Sequence, residues 1–207
     1  MLDTAKVAEI IRAIAVRMET EKDFLTQLDN EIGDGDHGIN LSRGFKNVLE
    51  KLPELERSDI GAMLKGVGMQ LVSSVGGASG PLYGTAFMKA GNVLKGKNEI
   101  TAADFVAALE AAIDGVKMRG KSKEGEKTML DALCPAYKAL VETVDAGAEL
   151  KESMAKAVMA AAQGVEYTKT IIATKGRASY LGERSLGHQD PGATSAYYML
   201  QTIADEL

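Results

Sequence analysis

Apolar residues recur at helical spacing almost from the first residue of this chain. Val7, Ile10, Ile11, Ile14 and Met18 follow i, i+3, i+4, i+7, i+11, one face of an amphipathic helix, and Asp3 or Thr4 can cap it. The pattern carries, with room for a break, to about Leu28. A second helix is predicted from about His37 to Leu52, ended by Pro53. A third runs from Ser58–Asp59 to about Val75, and a fourth from Pro81 to Leu94. Thr101 and Asp104 make a capping box with Asp in place of Glu, ahead of the stripe Phe105, Leu109, Ala112, Ile113, Val116 of a fifth. Lys127 to Val144 reads as a sixth, kinked or shortened by Pro135. Met154, Val158, Ala161, Ala162 and Val165 mark a seventh, reaching toward Ala173. Asp190-Pro191 supplies an N-cap and a proline at the first position of an eighth. No segment alternates with period two, and no linker, repeat or low-complexity tract divides the chain. The expectation is an all-α, single-domain bundle of eight antiparallel helices over residues 1–207.

Two connections stand out. Thr174 to Asp190, "TKGRASYLGERSLGHQD", is long for a structureless loop, and such loops are often functional. Ser73 to Gly84, "SSVGGASGPLYG", is rich in glycine and small residues that let a ligand approach the backbone.

Composition agrees with helix. Apolar residues are 45% of the chain and aromatics 5%, without Trp, and Ala, Leu and Met favour helix over strand. The net charge of -5 argues against a nucleic-acid surface, which needs a basic face. Cys134 is the sole cysteine, so no internal disulfide forms, which suits a reducing compartment. Its expected role is a small buried hydrophobe. No apolar run has the length of a membrane span, and the N-terminus lacks an apolar signal core. A cytoplasmic protein without nucleic-acid or membrane partners is expected.

The charge that needs explaining lies between the first two predicted helices. Asp29, Asp34 and Asp36 fall within "DNEIGDGDHGIN". Their mutual repulsion is unfavourable unless a cation or solvent relieves it, and ligands made only of carboxylates suit a hard cation. Gly33, Gly35 and Gly38 allow the turns that would aim them together. An EF-hand is excluded: the twelfth position from Asp34 is Phe45, and from Asp29 it is Asn40, where a Glu is required. Magnesium bridging to phosphate fits better. The alternative is an acidic loop that only caps the next helix. Against it stand His37, Gly38 and Asn40 at a helix N-terminus, where anions bind, and Lys175, Arg177 and Arg184 in the long loop. His188 has a weaker claim and is expected to do no more than anchor that loop. "GVKMRGKS", Gly115–Ser122, satisfies the phosphate-loop pattern, but it follows helical rather than strand periodicity and leads into the charged turn "KEGEK". The match is read as chance.

"DNEIGDGDHGIN", "SSVGGASGPLYGT", "RGKSKEGEKTMLDAL" and "KGRASYLGERSLGHQDPGATS" together resemble the L subunits of bacterial dihydroxyacetone kinases, along essentially the whole chain. The resemblance implies a barrel of eight antiparallel helices with a nucleotide at one end. It implies two magnesium ions on Asp29, Asp34 and Asp36. It also implies phosphate contacts from His37, Gly38, Ile39, Asn40, Ala78 and Ser79. Gly120 and Met129 would lie near the nucleoside, and Arg177, Asp190, Pro191 and Gly192 would close over it. In free-standing L subunits it implies a tightly bound ADP. A phosphocarrier M subunit of the sugar phosphotransferase system phosphorylates that ADP in place, and the resulting ATP phosphorylates dihydroxyacetone on a K subunit. No catalytic acid or base is expected in this chain. A transcriptional regulator and a homodimer are further partners this class admits. Three other readings stay open: a ketose kinase module with exchanging ATP, the nucleotide domain of a fatty acid kinase, against which His37 counts, and a non-enzymatic, nucleotide-sensing regulatory partner of a transcription factor.

Overall fold

The computed structural model describes residues 1–207. Nine α-helices fill it: α1 (Thr4–Thr20), α2 (Lys22–Ile32), α3 (His37–Leu55), α4 (Ile60–Ser74), α5 (Ser79–Val93), α6 (Ala102–Gly120), α7 (Leu130–Asp145), α8 (Leu150–Thr168) and α9 (Pro191–Asp205). Eight of them, α1 and α3 to α9, close a ring in which each packs on the next and α9 returns to α1. The all-α barrel is therefore as expected, and α2 is the extra helix. It arises because the first predicted helix breaks at Glu21, and it lies against α3 and α9.

Antiparallel closure is visible in side-chain pairs. Lys6 near the start of α1 meets Glu206 at the end of α9, while Arg17 near the end of α1 reaches Gln201 and stacks on the Tyr198 ring. The inward stripe of α1 is the one its periodicity named: Val7, Ile10, Ile11, Ile14 and Met18 are all buried. They join a continuous core of 38 buried residues drawn from every helix of the ring.

Several boundaries differ from expectation. Pro53 lies inside the last turn of α3, where few bonds remain to be lost. Pro81 lies in the first turn of α5, which starts at Ser79, where its missing N–H needs no partner. The seventh predicted helix stops at Thr168 rather than Ala173, and the sixth starts at Leu130 because Lys127 takes a left-handed φ of 60°. A two-residue antiparallel pair, β1 (Leu2–Asp3) with β2 (Glu99–Ile100), is too short to show as alternation. The long loop is not structureless: Arg177–Ser185 forms a 3-10 helix, interrupted at Gly182. The phosphate-loop pattern falls within α6 up to Gly120 and ends in the turn after it, so no strand precedes it.

Helix contacts made through glycine set the ring's tightness. On the α4–α5 seam, a Cβ on Gly91 would sit 2.5 Å from the Gly61 carbonyl, and one on Gly84 would sit 2.7 Å from that of Gly68. On the α7–α8 seam, Pro135 has no N–H to offer the Asp131 carbonyl four residues earlier. Gly164 of α8 packs onto that same carbonyl, where a Cβ would stand 1.9 Å away. No helix is long and apolar enough to cross a membrane.

Candidate nucleotide and metal site

In a closed antiparallel ring, alternate connections emerge at the same end. Here those are residues 33–36, 75–78, 121–129 and 169–190, and they enclose a pocket of roughly 480 Å³, ample for a nucleotide. All four segments that stood out in the sequence meet there.

Asp29 is in the last turn of α2, with Asp34 and Asp36 in the turn that follows. One oxygen from each lies within 4.8 Å of the others. The turn is built around Asp29, whose Oδ2 accepts from the N–H of Asp36 at 2.9 Å and of His37 at 3.1 Å. Gly35 supplies the required left-handed φ of 73°. Asp34 is more open, and its Oδ2 meets Arg177 Nε at 2.7 Å. The glycine-rich loop passes close by, with Gly77 at a φ of 63° beside Asp36. Three convergent carboxylate oxygens of graded exposure fit a hard divalent cation with room for phosphate oxygens.

His37 is buried, and its ring sits in a chain of hydrogen bonds. Nδ1 is 3.0 Å from Ser79 Oγ, Nε2 is 2.9 Å from Ser195 Oγ, and Ser195 Oγ is 2.6 Å from the Tyr83 hydroxyl. Ser195 can donate to the Gly192 carbonyl. A proton on Nε2 then satisfies every member, with Ser79 donating to Nδ1. Burial pushes the His37 pKa down to about 4, against the pull of Asp29 and Asp36, so the ring is neutral near pH 7. The chain of bonds ties α3, α5 and α9 together at the pocket wall. Its members Tyr83 and Ser195 went unnoticed in the sequence because they sit on core-facing helix positions.

Of the other anticipated residues, Ala78, Ser79, Gly120, Met129, Arg177, Asp190, Pro191 and Gly192 line the pocket, as does Lys175. Gly38, Ile39 and Asn40 do not. Gly38 packs against the Lys22 carbonyl of α2, Ile39 points outward at 49% exposed, and the Asn40 amide oxygen accepts from Arg43 beneath the glycine loop. Of these, only the Ile39 side chain turns to solvent; Gly38 has no side chain, and Asn40 packs under Gly76 and Gly77 of the glycine loop. Arg184 is also outside the lining, and His188 anchors the loop through Glu31 at 2.9 Å. Thr128, Ser122, Arg119 and Lys127 also join the lining; all four lie in the segment "RGKSKEGEKTMLDAL", but none is among the anticipated site residues.

Asp190 caps α9 by accepting from the Ala193 N–H at 2.7 Å. Burial raises its pKa to about 7, helped by Asp131 and opposed by the Ala193 bond and by Lys127. An unfolded Asp ionises near 3.8, so above that pH the native state keeps a proton that the unfolded state has lost. Stability from this group therefore falls as pH rises from about 4 to about 7. Asp190→Asn keeps the cap and removes the titration. In melts with chelator and no nucleotide, the variant should gain on the wild type across that window. The gain should be roughly 2–4 °C, equivalent to about 1 kcal/mol.

The chain is similar to known proteins along most of its length. The DAK2 domain profile matches residues 31–205. The chain belongs to the DAK2 family. It is 46% identical to the PEP-dependent dihydroxyacetone kinase ADP-binding subunit DhaL of Escherichia coli K12, over 89% of this chain and 88% of that one. It is 42% identical to the corresponding subunit of dihydroxyacetone kinase 2 from Listeria innocua, over 100% and 96%. Among solved structures, the dihydroxyacetone kinase of C. freundii in complex with AMP-PNP and Mg2+ superposes with a TM-score of 0.76 at 26% identity. That match covers 98% of this chain and 34% of that one.

Proposed function

We propose that this chain, as one domain over residues 1–207, is the ADP-binding subunit of a phosphoenolpyruvate-dependent dihydroxyacetone kinase. The observation that carries the reading is the convergence of Asp29, Asp34 and Asp36 on the pocket that all four alternate connections enclose. ADP stays bound, and a phosphocarrier M subunit of the phosphotransferase system phosphorylates it in place. The γ-phosphoryl group then passes to dihydroxyacetone on a K subunit. The setting is the cytoplasm, consistent with a free, buried Cys134.

Asp29, Asp34 and Asp36 would hold two magnesium ions, which supply charge neutralisation for the transferred group when bound. The chain's own residues do the rest. The start of α3 presents N–H groups and a positive dipole end toward phosphate. Gly77, Ala78 and Ser79 let phosphate oxygens approach the backbone. Gly120, Met129 and Pro191 form a less polar wall suited to a base. Arg177 pairs with Asp34 of the cluster, which supports a role in which its guanidinium would meet the terminal phosphates. Phosphoryl transfer needs positioning and charge stabilisation more than covalent work by the protein, and no side chain here has to act as acid or base.

The deciding experiment is to purify the protein without added nucleotide, dialyse it extensively, denature it and identify what is released. ADP in near-equimolar yield with the protein, accompanied by magnesium, supports the relay. An empty protein that binds and exchanges ATP points instead to an ordinary ATP-dependent module, and failure to bind either nucleotide sinks both readings. Arg177→Ala is expected to slow phosphoryl transfer about tenfold, the loss of one charge-assisted hydrogen bond. It should alter magnesium-dependent ADP affinity far less. Reconstituted turnover alongside calorimetry separates the two effects, and wild-type turnover would remove Arg177 from the mechanism.

A further inference from the structure

Lys127 is a charged residue with 1% of its surface exposed and no carboxylate in contact. Its ammonium points at backbone carbonyls instead: Thr168 at 2.6 Å, His188 at 2.6 Å, Ser185 at 2.7 Å and Ile171 at 3.4 Å. An ammonium has three N–H groups, so the three short contacts use them all. Burial lowers the Lys127 pKa, while Asp190 and Asp131 oppose that shift.

The identity of these carbonyls gives the cluster its meaning. Thr168 ends α8, and its carbonyl is one of those a helix C-terminus leaves without a partner. Ile171 follows in the same descending strand of chain. Ser185 and His188 belong to the returning side, after the 3-10 helix. One positive charge thus joins the entry and the exit of the 169–190 excursion, at a point where the negative end of a helix dipole favours it. Neutral bonds reinforce the same base: Gly187 N–H to the Lys169 carbonyl at 2.8 Å, Asp190 N–H to Thr168 Oγ1 at 3.0 Å and Ala173 N–H to Ser185 Oγ at 2.9 Å. Arg177 sits within the excursion, with Asp34 as its ionic partner. Lys127 holds a left-handed backbone, which is unfavourable for a residue with a side chain. The anchored side chain on one side and the Asp131 carboxylate on the other (accepting from Thr128 and Gly125 N–H groups) keep it there.

We propose that Lys127 is a positioning residue: its ammonium fastens both feet of the 169–190 excursion and so fixes where Arg177 stands over the pocket. It acts through Arg177 and touches no reacting atom. The catalytic consequence rests on the nucleotide reading above, whereas the clamp itself does not.

The test uses Lys127→Met, which keeps the length of the side chain and removes every donor. Amide hydrogen exchange should accelerate about tenfold or more across residues 169–190, while α1 and α4 keep wild-type rates. Phosphoryl transfer should fall about five- to tenfold, with a smaller change in magnesium-dependent ADP affinity. Combined with Arg177→Ala, the second substitution should add almost nothing, because both remove the same contribution. Unchanged exchange in the excursion, or rate losses that multiply in the double variant, overturn the proposal. If Lys127→Met does not fold, Ser185→Ala loosens the same foot more gently, and the same selective exchange and non-additivity are required of it. Wild-type protein that binds no ADP would overturn the nucleotide reading alone, and the clamp would then stand or fall on the exchange result.

Discussion

Asp34→Asn is expected to raise the dissociation constant of ADP in the presence of magnesium by at least about 100-fold. Even groups that only support metal ligands cost 10- to 100-fold when removed, and this substitution removes a carboxylate from the cluster itself. Asn preserves size and one carbonyl oxygen but takes away a full negative charge where up to two divalent cations would be neutralised. Asp34 suits the test better than Asp29. Asp29 is buried and accepts two backbone N–H groups that shape the turn, so its loss would unravel the site along with the ligand. Asp34 and its partner Arg177 have 37% and 65% of their side chains exposed, and an ion pair that open contributes little to stability. A melt with chelator and no nucleotide should therefore match the wild type, while calorimetry with magnesium and ADP should not. Equal ADP affinity in the two proteins, at saturating magnesium, would take Asp34 out of the metal site.

The second large effect concerns the wall behind the site. Gly164→Ala should lower the melting temperature by roughly 5–10 °C, equivalent to about 2–3 kcal/mol of overpacking. Alanine gains about 1 kcal/mol of helix propensity over glycine, and that gain is overwhelmed. The added methyl would stand 1.9 Å from the Asp131 carbonyl, a backbone atom that cannot rotate away, so α8 must move off α7. Asp131 also accepts from Gly125 and Thr128 in the connection that floors the pocket, so magnesium-dependent ADP binding should weaken as well. Gly115→Ala is the control. Its new methyl meets Lys89 Cγ at 2.8 Å and Thr85 Cγ2 at 3.1 Å, side-chain atoms that can yield, and a small change either way is expected. Thermal unfolding of both variants, monitored by circular dichroism, decides the matter. Indistinguishable melts would mean that the α7–α8 seam has slack its geometry does not show.

The periodicity of Val7, Ile10, Ile11, Ile14 and Met18 was enough to place α1 and its buried face, because an amphipathic stripe has one energetically sensible orientation. The capping box at Thr101–Asp104 and the Asp190-Pro191 start were legible for the same reason: these bonds are local. So was the candidate metal cluster, whose three aspartates lie within eight residues of one another. Where local signals compete, the sequence misleads. Lys127 lies in a helical pattern yet adopts a left-handed conformation, since its ammonium finds four carbonyls more than forty residues away. Gly38, Ile39 and Asn40 share the motif of His37, but His37 is the one whose side chain lines the pocket once α2, α5 and α9 are in place, which leaves backbone N–H groups as the means by which the other three would meet phosphate.

By itself, then, the sequence determined the helices, the all-α class and the acidic turn, because helix periodicity, caps and clustered charge act over a few residues. Only the tertiary structure decided the rest. It closed the ring so that four connections share one end, aligned glycines so that backbones could touch, locked His37 between Ser79 and Ser195, and gathered the feet of the long loop on one buried ammonium. Those outcomes depend on contacts between residues far apart in the chain, and no local pattern encodes which distant partner a side chain will meet.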